Sequence, residues 1–124
     1  MFKKCISLLI FLVIHSVSSQ SSSHGFLSKE FHKNRRNEVR AMLPSNSVAV
    51  FFTNPTRNRS NDVDYHYHQD PNFYYLTGYK EPHAILLLFS SDVSDADEMI
   101  FVQPRNPLAE QWNGKRLGVE GVKK

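Results

Sequence analysis

The sequence predicts a small α/β domain in which helices pack against a β-sheet. One helical stretch is followed by several short apolar runs rich in β-forming residues, turn residues separate these runs, and one run has no polar alternation. An uninterrupted apolar strand is typical of a sheet that is covered on both faces. A chain of 124 residues is long enough for one such core.

Residues 1–19 have the pattern of a secretory signal peptide. Lys3 and Lys4 precede an apolar block at residues 5–14, and small polar residues follow it. The block is about half as long as the roughly 20 apolar residues of a membrane-spanning helix, so we expect no stable membrane anchor. Cleavage after Ser19 would give a secreted or periplasmic protein. The serine-rich residues 20–26 are interpreted as a flexible leader, which places the domain at residues 27–124.

Charge and cysteine content narrow the function classes. The formal net charge is +3, and it falls to +1 when Lys3 and Lys4 leave with the signal, so nucleic acid is not the expected partner. The only cysteine, Cys5, also lies in the signal, so the mature chain has no disulfide and no thiolate nucleophile. The sequence contains neither a Gly-x-Ser-x-Gly elbow nor a glycine-rich phosphate loop.

The predicted elements begin with a helix. Ser28 is its expected N-cap, Glu30 lies in the first turn, and apolar residues recur at helical spacing until Pro44 ends it. Strands are predicted at residues 48–52, 73–76, 84–89 and 99–102, with turns between them. Only this one helix is clear, which is little cover for a sheet of four or more strands. We therefore expect the domain to be cut short at its carboxyl end.

Two histidines one residue apart, His66 and His68, raise the question of a metal site. On a strand such residues point to the same face, so two imidazoles could meet one ion. Zinc sites take three or four protein ligands, however, and His24, His32 and His83 have no matching spacing. The alternative is that the histidines and their tyrosine neighbours pack across strands. We favour that interpretation and predict no metal ligand in the chain.

The chain also carries an ordered series of short motifs. They are Phe31 with Arg35-Arg36, Arg59-Ser60-Asn61-Asp62, the continuous stretch at residues 65–82, and Pro104-Arg105-Asn106-Pro107 with Glu110, Trp112, Gly114, Arg116 and Gly118. This series resembles the amino-terminal domain of Xaa-Pro aminopeptidase (aminopeptidase P), and it covers nearly all of the chain from Phe26 onward. The order of the motifs makes the resemblance far more specific than any one of them.

The resemblance implies an α/β domain with a mixed β-sheet flanked by helices. It also implies that the stretch around His66 is scaffold leading into a strand at residues 73–78, because the position of His68 is commonly an arginine in that family. Family members remove an N-terminal residue that precedes proline, using two metal ions, usually manganese. Those ions are held by Asp, Asp, His, Glu and Glu in a carboxy-terminal pita-bread domain. None of these ligand motifs occurs here, so this chain alone is expected to hold no cofactor and to be inactive.

The resemblance further implies roles for Asp62 and Trp112. Both match positions that approach the active site in the family, the tryptophan by reaching across a subunit interface. The expected partners are therefore the pita-bread peptidase domain, further copies of the protein, and proline-containing peptides. Simpler interpretations are that Trp112 anchors the core and that Asp62 caps a turn. At the level of the whole chain, the alternative is a stand-alone secreted module that binds peptides or proteins and has lost the peptidase domain.

Overall fold

The computed structural model describes residues 27–90 and 97–123. The predicted signal peptide and leader, residues 1–26, lie outside the described residues. The elements in chain order are α1 (Lys29–Met42), β1 (Val48–Phe52), β2 (Asn58–Ser60), β3 (Val63–Asp64), α2 (Pro71–Thr77), β4 (Ile85–Phe89), β5 (Glu98–Phe101), α3 (Pro107–Asn113) and α4 (Gly118–Val122).

Helix α1 forms where the sequence predicts it. The Ser28 hydroxyl accepts a hydrogen bond from the Phe31 amide at 3.1 Å, which satisfies one of the free N–H groups of the first turn. The helix ends at Met42, and Leu43 is extended because the residue before a proline is disfavoured in the helical region. The predicted cap and the predicted stop are both confirmed.

A three-stranded antiparallel sheet forms the centre of the domain, with the order β1-β4-β5. Val50 lies opposite Leu87 in one ladder, and Leu87 lies opposite Met99 in the other. These strands correspond to three of the predicted runs, with shifts of one residue at their ends. The α/β class with helices against a sheet is confirmed, and all pairings among the described strands are antiparallel.

The predicted strand at residues 73–76 is wrong, because residues 71–77 form helix α2. The Asp70 carboxylate caps the helix by accepting from the Phe73 amide at 2.9 Å, and Pro71 occupies the first turn, where its missing N–H costs nothing. Gly78 closes the helix in the left-handed conformation, with a φ of 70°. The aromatic run suggested a strand, but the capping residues on either side of it determine the structure.

Four further elements, β2, β3, α3 and α4, were not predicted from the sequence. The pair β2–β3 is a short hairpin, and helices α3 and α4 follow β5. The expectation of a single helix is therefore wrong, since α2, α3 and α4 add to α1. Helices of five to seven residues span two turns or less, so they leave almost no periodic apolar pattern in the sequence.

The core lies on one face of the sheet, beneath α1 and α2. Its buried side chains are Phe73, Leu76, Tyr79, Ala84, Leu86 and Leu88. Arg36 fastens α1 over this core, because its guanidinium donates to both carboxylate oxygens of Glu98 and to the Leu76 carbonyl. The two bonds to Glu98 join α1 to β5, and the bond to Leu76 joins it to α2.

The other face of the sheet is apolar and open among the described residues. Its exposed side chains are Val48, Val50, Phe52, Met99 and Phe101, which are 44–61% exposed. Leu87 is only partly covered, whereas Leu86 and Leu88 are buried. The described residues thus provide the expected cover on one face only.

No helix in residues 27–90 or 97–123 is both long and apolar enough to span a membrane.

Candidate functional site

The segment with His66 and His68 is an irregular loop, not a strand. Both side chains are exposed, and their ring centroids lie 5.3 Å apart in an edge-to-face arrangement. The expectation of cross-strand packing is wrong for these residues. Across the part of the chain that the structure describes, no group of three or more His, Cys, Asp or Glu side chains could hold a metal ion.

Gln69 is the residue that fixes this loop. Its side-chain oxygen accepts from the Tyr67 hydroxyl at 2.9 Å and from the Asp70 amide at 2.8 Å. Its side-chain nitrogen donates to the carbonyls of Tyr79 and Glu81 at 3.2 and 3.0 Å. One partly buried amide therefore uses its full donor and acceptor capacity to join the loop to the segment after α2. A single glutamine in a loop has no periodic pattern around it, so this role carries no signal in the sequence.

Asp62 lies at the tip of the β2–β3 hairpin and is exposed. Asn61 takes a positive φ of 49° in the turn, a conformation that asparagine tolerates better than most residues. Below it, the Asn58 side-chain amide donates to the carbonyls of Asn61 and Val63 at 3.0 and 3.2 Å. Among the described residues, Asn58 and not Asp62 makes the side-chain hydrogen bonds that close this turn.

Trp112 lies on helix α3 and is 88% exposed. Asn106 caps the helix through its side-chain oxygen, which accepts from the Ala109 amide at 3.1 Å, and Pro107 is its first residue. Leu108, one turn before the tryptophan, is 76% exposed. The interpretation of Trp112 as a core anchor is therefore wrong, and its polar loop is instead a short, exposed helix.

Two carboxylates anchor the segment that carries Trp112. Glu110 pairs with both Nε and Nη2 of Arg105 at 2.7 Å and accepts from the Asn106 amide at 2.9 Å. The Arg105 guanidinium, assisted by backbone N–H groups, lowers the pKa of Glu110 to about 2. Farther along, Glu81 accepts from the Leu117 amide at 2.8 Å. Both carboxylates belong to the motif series, but the sequence alone assigned neither of them a role, although Asn106-Pro107 is a recognisable helix start.

Glu81 also organises the neighbouring aromatic residues. The Tyr79 hydroxyl donates to its other carboxylate oxygen at 2.9 Å. Burial raises the pKa of Tyr79 well above its usual range, and the bond to Glu81 raises it further. Burial likewise raises the pKa of Tyr67. Both phenols therefore remain protonated donors at neutral pH, which keeps the network intact.

A cleft of about 370 Å³ lies between these parts. Its walls include Asp64, which is two residues after Asp62, and Asn113, which follows Trp112. The remaining lining residues are Thr56, Tyr65, Tyr67, Glu81, Pro82, His83, Gln103, Gly114, Lys115 and Arg116. Carboxylates, cations and phenols together can bind a peptide by hydrogen bonds and ion pairs. The cleft thus brings together the neighbours of the two residues that the sequence singled out.

Comparison with known proteins identifies a relationship over most of the domain. Residues 32–124 match the family model for the aminopeptidase P N-terminal domain. The chain is 45% identical over 94 residues to the Xaa-Pro aminopeptidase of Haemophilus influenzae, covering 76% of this chain and 22% of that protein. It is 42% identical over 100 residues to Xaa-Pro aminopeptidase 3 of Dictyostelium discoideum, covering 81% of this chain and 19% of that protein.

Solved structures agree with the sequence relatives. Aminopeptidase P from E. coli in its low-pH form superposes with a TM-score of 0.72 at 34% identity, over 78% of this chain and 22% of that one. Proline aminopeptidase P II from Yersinia pestis gives a TM-score of 0.72 at 38% identity, over 77% of this chain and 22% of that one. The chain spans about one fifth of the length of the relatives that it matches. With a family model that covers most of the domain and a fold that superposes on the same enzymes, the chain belongs to the aminopeptidase P N-terminal domain family.

Proposed function

We propose that this chain is the non-catalytic domain that shapes the substrate entrance and joins subunits in a secreted, manganese-dependent Xaa-Pro aminopeptidase. The exposure of Trp112 is the observation that carries this proposal. An aromatic side chain that is 88% exposed on a monomer gains most of its burial by contact with a partner. Tryptophan is also among the residues that dominate the energetics of protein interfaces.

The cleft supports a role in binding peptides. Lys115 and Arg116 lie on one of its walls, and Asp64 and Glu81 also line it, so groups of both charges are available to a peptide. Asp62 and Trp112 are exposed, and each is close in sequence to a residue of the cleft wall: Asp62 to Asp64, and Trp112 to Asn113. In our proposal these two residues meet a proline-containing peptide held by the peptidase domain, with Trp112 reaching the entrance of a neighbouring subunit.

The described residues do not fit a pair of manganese ions. A two-metal site needs a convergent set of carboxylate and imidazole ligands, and the structure offers no group of three among residues 27–90 and 97–123. The reaction chemistry is therefore assigned to the pita-bread peptidase domain that we propose as the partner. What this chain contributes is binding and orientation of the peptide, which affects the rate through positioning. Secretion, or export to a periplasm, rests on the signal-peptide pattern of residues 1–19.

The experiment is a Trp112→Ala variant of the domain joined to its peptidase domain. We expect kcat/KM for Xaa-Pro peptides to fall by an amount equivalent to about 1–3 kcal/mol, with a changed preference for peptide length and an unchanged metal content. Met42→Ala is the matched control, because Met42 is a similarly exposed apolar residue at the end of α1. Thermal unfolding of the isolated domain should hardly change, since removing an exposed side chain leaves no cavity. If Trp112→Ala and Met42→Ala have the same kcat/KM, the entrance role is rejected.

The alternative proposal is a stand-alone module that binds peptides or proteins. The open cleft and the apolar sheet face that residues 27–90 and 97–123 leave uncovered favour it, because both are surfaces on which a partner could be accommodated. The two proposals differ in what the isolated domain does. Calorimetric titration of residues 20–124 with proline-containing peptides separates them. Micromolar binding supports the module, and absence of binding supports an entrance that is complete only beside the peptidase domain.

A further inference from the structure

We propose that Glu110, held by Arg105, is the positioning residue that fixes the orientation of Trp112 on helix α3, next to Asn113 in the wall of the cleft. This inference rests on the proposed function, because it concerns how the tryptophan of that function is presented.

Hydrophobic packing does not hold the helix that carries Trp112. Helix α3 has seven residues, and no apolar side chain among them is buried. Its two large apolar side chains, Leu108 and Trp112, are 76% and 88% exposed and lie one turn apart on the same face. A helix this short is unstable alone in water. Some interaction other than burial of apolar area must therefore keep it formed and oriented.

Glu110 provides that interaction. Its side chain is only 8% exposed, although it stands on an otherwise exposed helix. It accepts three hydrogen bonds of 2.7 to 2.9 Å, two from the Arg105 guanidinium and one from the Asn106 amide. A two-pronged arginine–carboxylate pair fixes distance and angle together, unlike a single contact. The bond to Asn106 also satisfies an N–H at the start of the helix.

Arg105 is in turn held by the far end of the same segment. Gly118 has a φ of 64°, and a Cβ atom there would lie 2.7 Å from Cγ of Arg105. The stem of Arg105 thus packs directly on the Gly118 backbone. The Leu117 amide next to it donates to Glu81. Residues 105–118 therefore form a loop whose two ends meet, with Glu110 joining the closure to the helix that presents Trp112.

The single tryptophan of the chain makes the proposal measurable without an activity assay. In the full chain, Glu110→Gln keeps the shape of the side chain and removes its charge. We expect the nanosecond local motion of Trp112, measured by time-resolved fluorescence anisotropy, to gain about twofold in amplitude. Glu120→Gln is the matched control, because Glu120, on helix α4, forms an exposed ion pair with Lys123. It should leave the anisotropy decay unchanged.

A second variant guards against a folding defect. Arg105→Lys keeps the positive charge but loses the two-pronged geometry, so it should also loosen Trp112 while circular dichroism shows an intact fold. If the Trp112 decay of both Glu110→Gln and Arg105→Lys matches that of the wild type, the positioning role is wrong.

Activity of the domain joined to its peptidase domain separates this inference from the proposed function. If both hold, Glu110→Gln lowers kcat/KM roughly tenfold and adds little to Trp112→Ala. If Trp112 is more mobile in Glu110→Gln but kcat/KM is unchanged in both Glu110→Gln and Trp112→Ala, the entrance function is rejected and the positioning role stands. If only Trp112→Ala lowers kcat/KM, and Trp112 stays as rigid in Glu110→Gln as in the wild type, the positioning role is rejected and the entrance function stands.

Discussion

At the scale of single residues, hydrogen bonds from polar side chains hold the irregular segments outside the core in place. Gln69 joins the histidine-containing loop to the segment after α2, and Asn58 closes the hairpin that presents Asp62. Glu110 and Glu81 hold the segment that carries Trp112. Each of these side chains orders a stretch of irregular backbone, because the backbone N–H and C=O groups there have no regular helix or sheet partners and bond to side chains instead.

The pairing of Glu110 predicts a local transition in acid. Arg105 lowers the pKa of this carboxyl from 4.5 to about 2, so the pair stabilises the folded segment fully above pH 4.5. That contribution is lost as the pH falls from 4.5 towards 2, because the protonated carboxyl no longer pairs with the guanidinium. We expect the mobility of Trp112, followed by fluorescence anisotropy, to rise across this range.

Glu110→Gln is the control for the acid transition. Its amide does not titrate, so the Trp112 signal should already be loosened at neutral pH and change little on acidification. An acid transition of the same size in this variant would assign the effect to another carboxyl group.

At the scale of elements, caps determine where the short helices form. Helix α2 begins at Asp70-Pro71 and ends at Gly78, and α3 begins at Asn106-Pro107. The Gly78 backbone also approaches the buried His32, since a Cβ atom there would lie 2.8 Å from its ring. His32 donates from Nδ1 to the Tyr75 carbonyl at 2.8 Å, so α1 and α2 are in close contact at this point.

Loss of the Asp70 cap should destabilise α2 and, with it, the core that Phe73 and Leu76 help to form. We expect Asp70→Ala to lower the free energy of unfolding by about 1 kcal/mol, because the Phe73 amide loses its acceptor. Asp70→Asn keeps an acceptor oxygen and should remain within a few tenths of the wild type. Urea denaturation followed by circular dichroism measures both. A loss in Asp70→Asn as large as in Asp70→Ala would argue against the capping role.

At the scale of the whole molecule, the domain is asymmetric. One face of the sheet carries α1, α2 and the core, and the other presents exposed Val48, Phe52 and Phe101 among the described residues. The cleft and Trp112 lie on segments outside the central sheet. Stability and the proposed binding surface are thus carried by different parts of the chain.

The described residues contain no set of side chains that could hold two metal ions, which predicts that this domain has no peptidase activity by itself. We expect purified residues 20–124, supplied with manganese, to release no N-terminal residue from an Arg-Pro peptide, because the described residues lack a convergent ligand set. Liquid chromatography of the reaction products measures this, with the E. coli enzyme assayed in parallel as a positive control. Metal-dependent release that co-elutes with the domain would contradict the prediction.

The sequence by itself determined the features that depend on local chemistry. Capping by Ser28 and the stop at Pro44 place α1, and runs of β-branched and aliphatic residues place the three strands of the central sheet. The ordered motifs gave the family, and they singled out Asp62 and Trp112. Local capping signals at Asp70 and Gly78 were also present, but the aromatic run between them favoured a strand on propensity alone.

Only the tertiary structure decided how distant residues combine. The exposure of Trp112, the packing of Arg105 on Gly118 and the bond from the Leu117 amide to Glu81 all depend on where the backbone brings separate segments. Glu81 and Leu117 are 36 residues apart, and Arg36 and Glu98 are 62 apart. Periodicity and propensity report on neighbours within a few positions, so they carry no information on such contacts. These long-range polar contacts join Glu81 in the cleft wall to the segment after α3, and they hold α1 on the core.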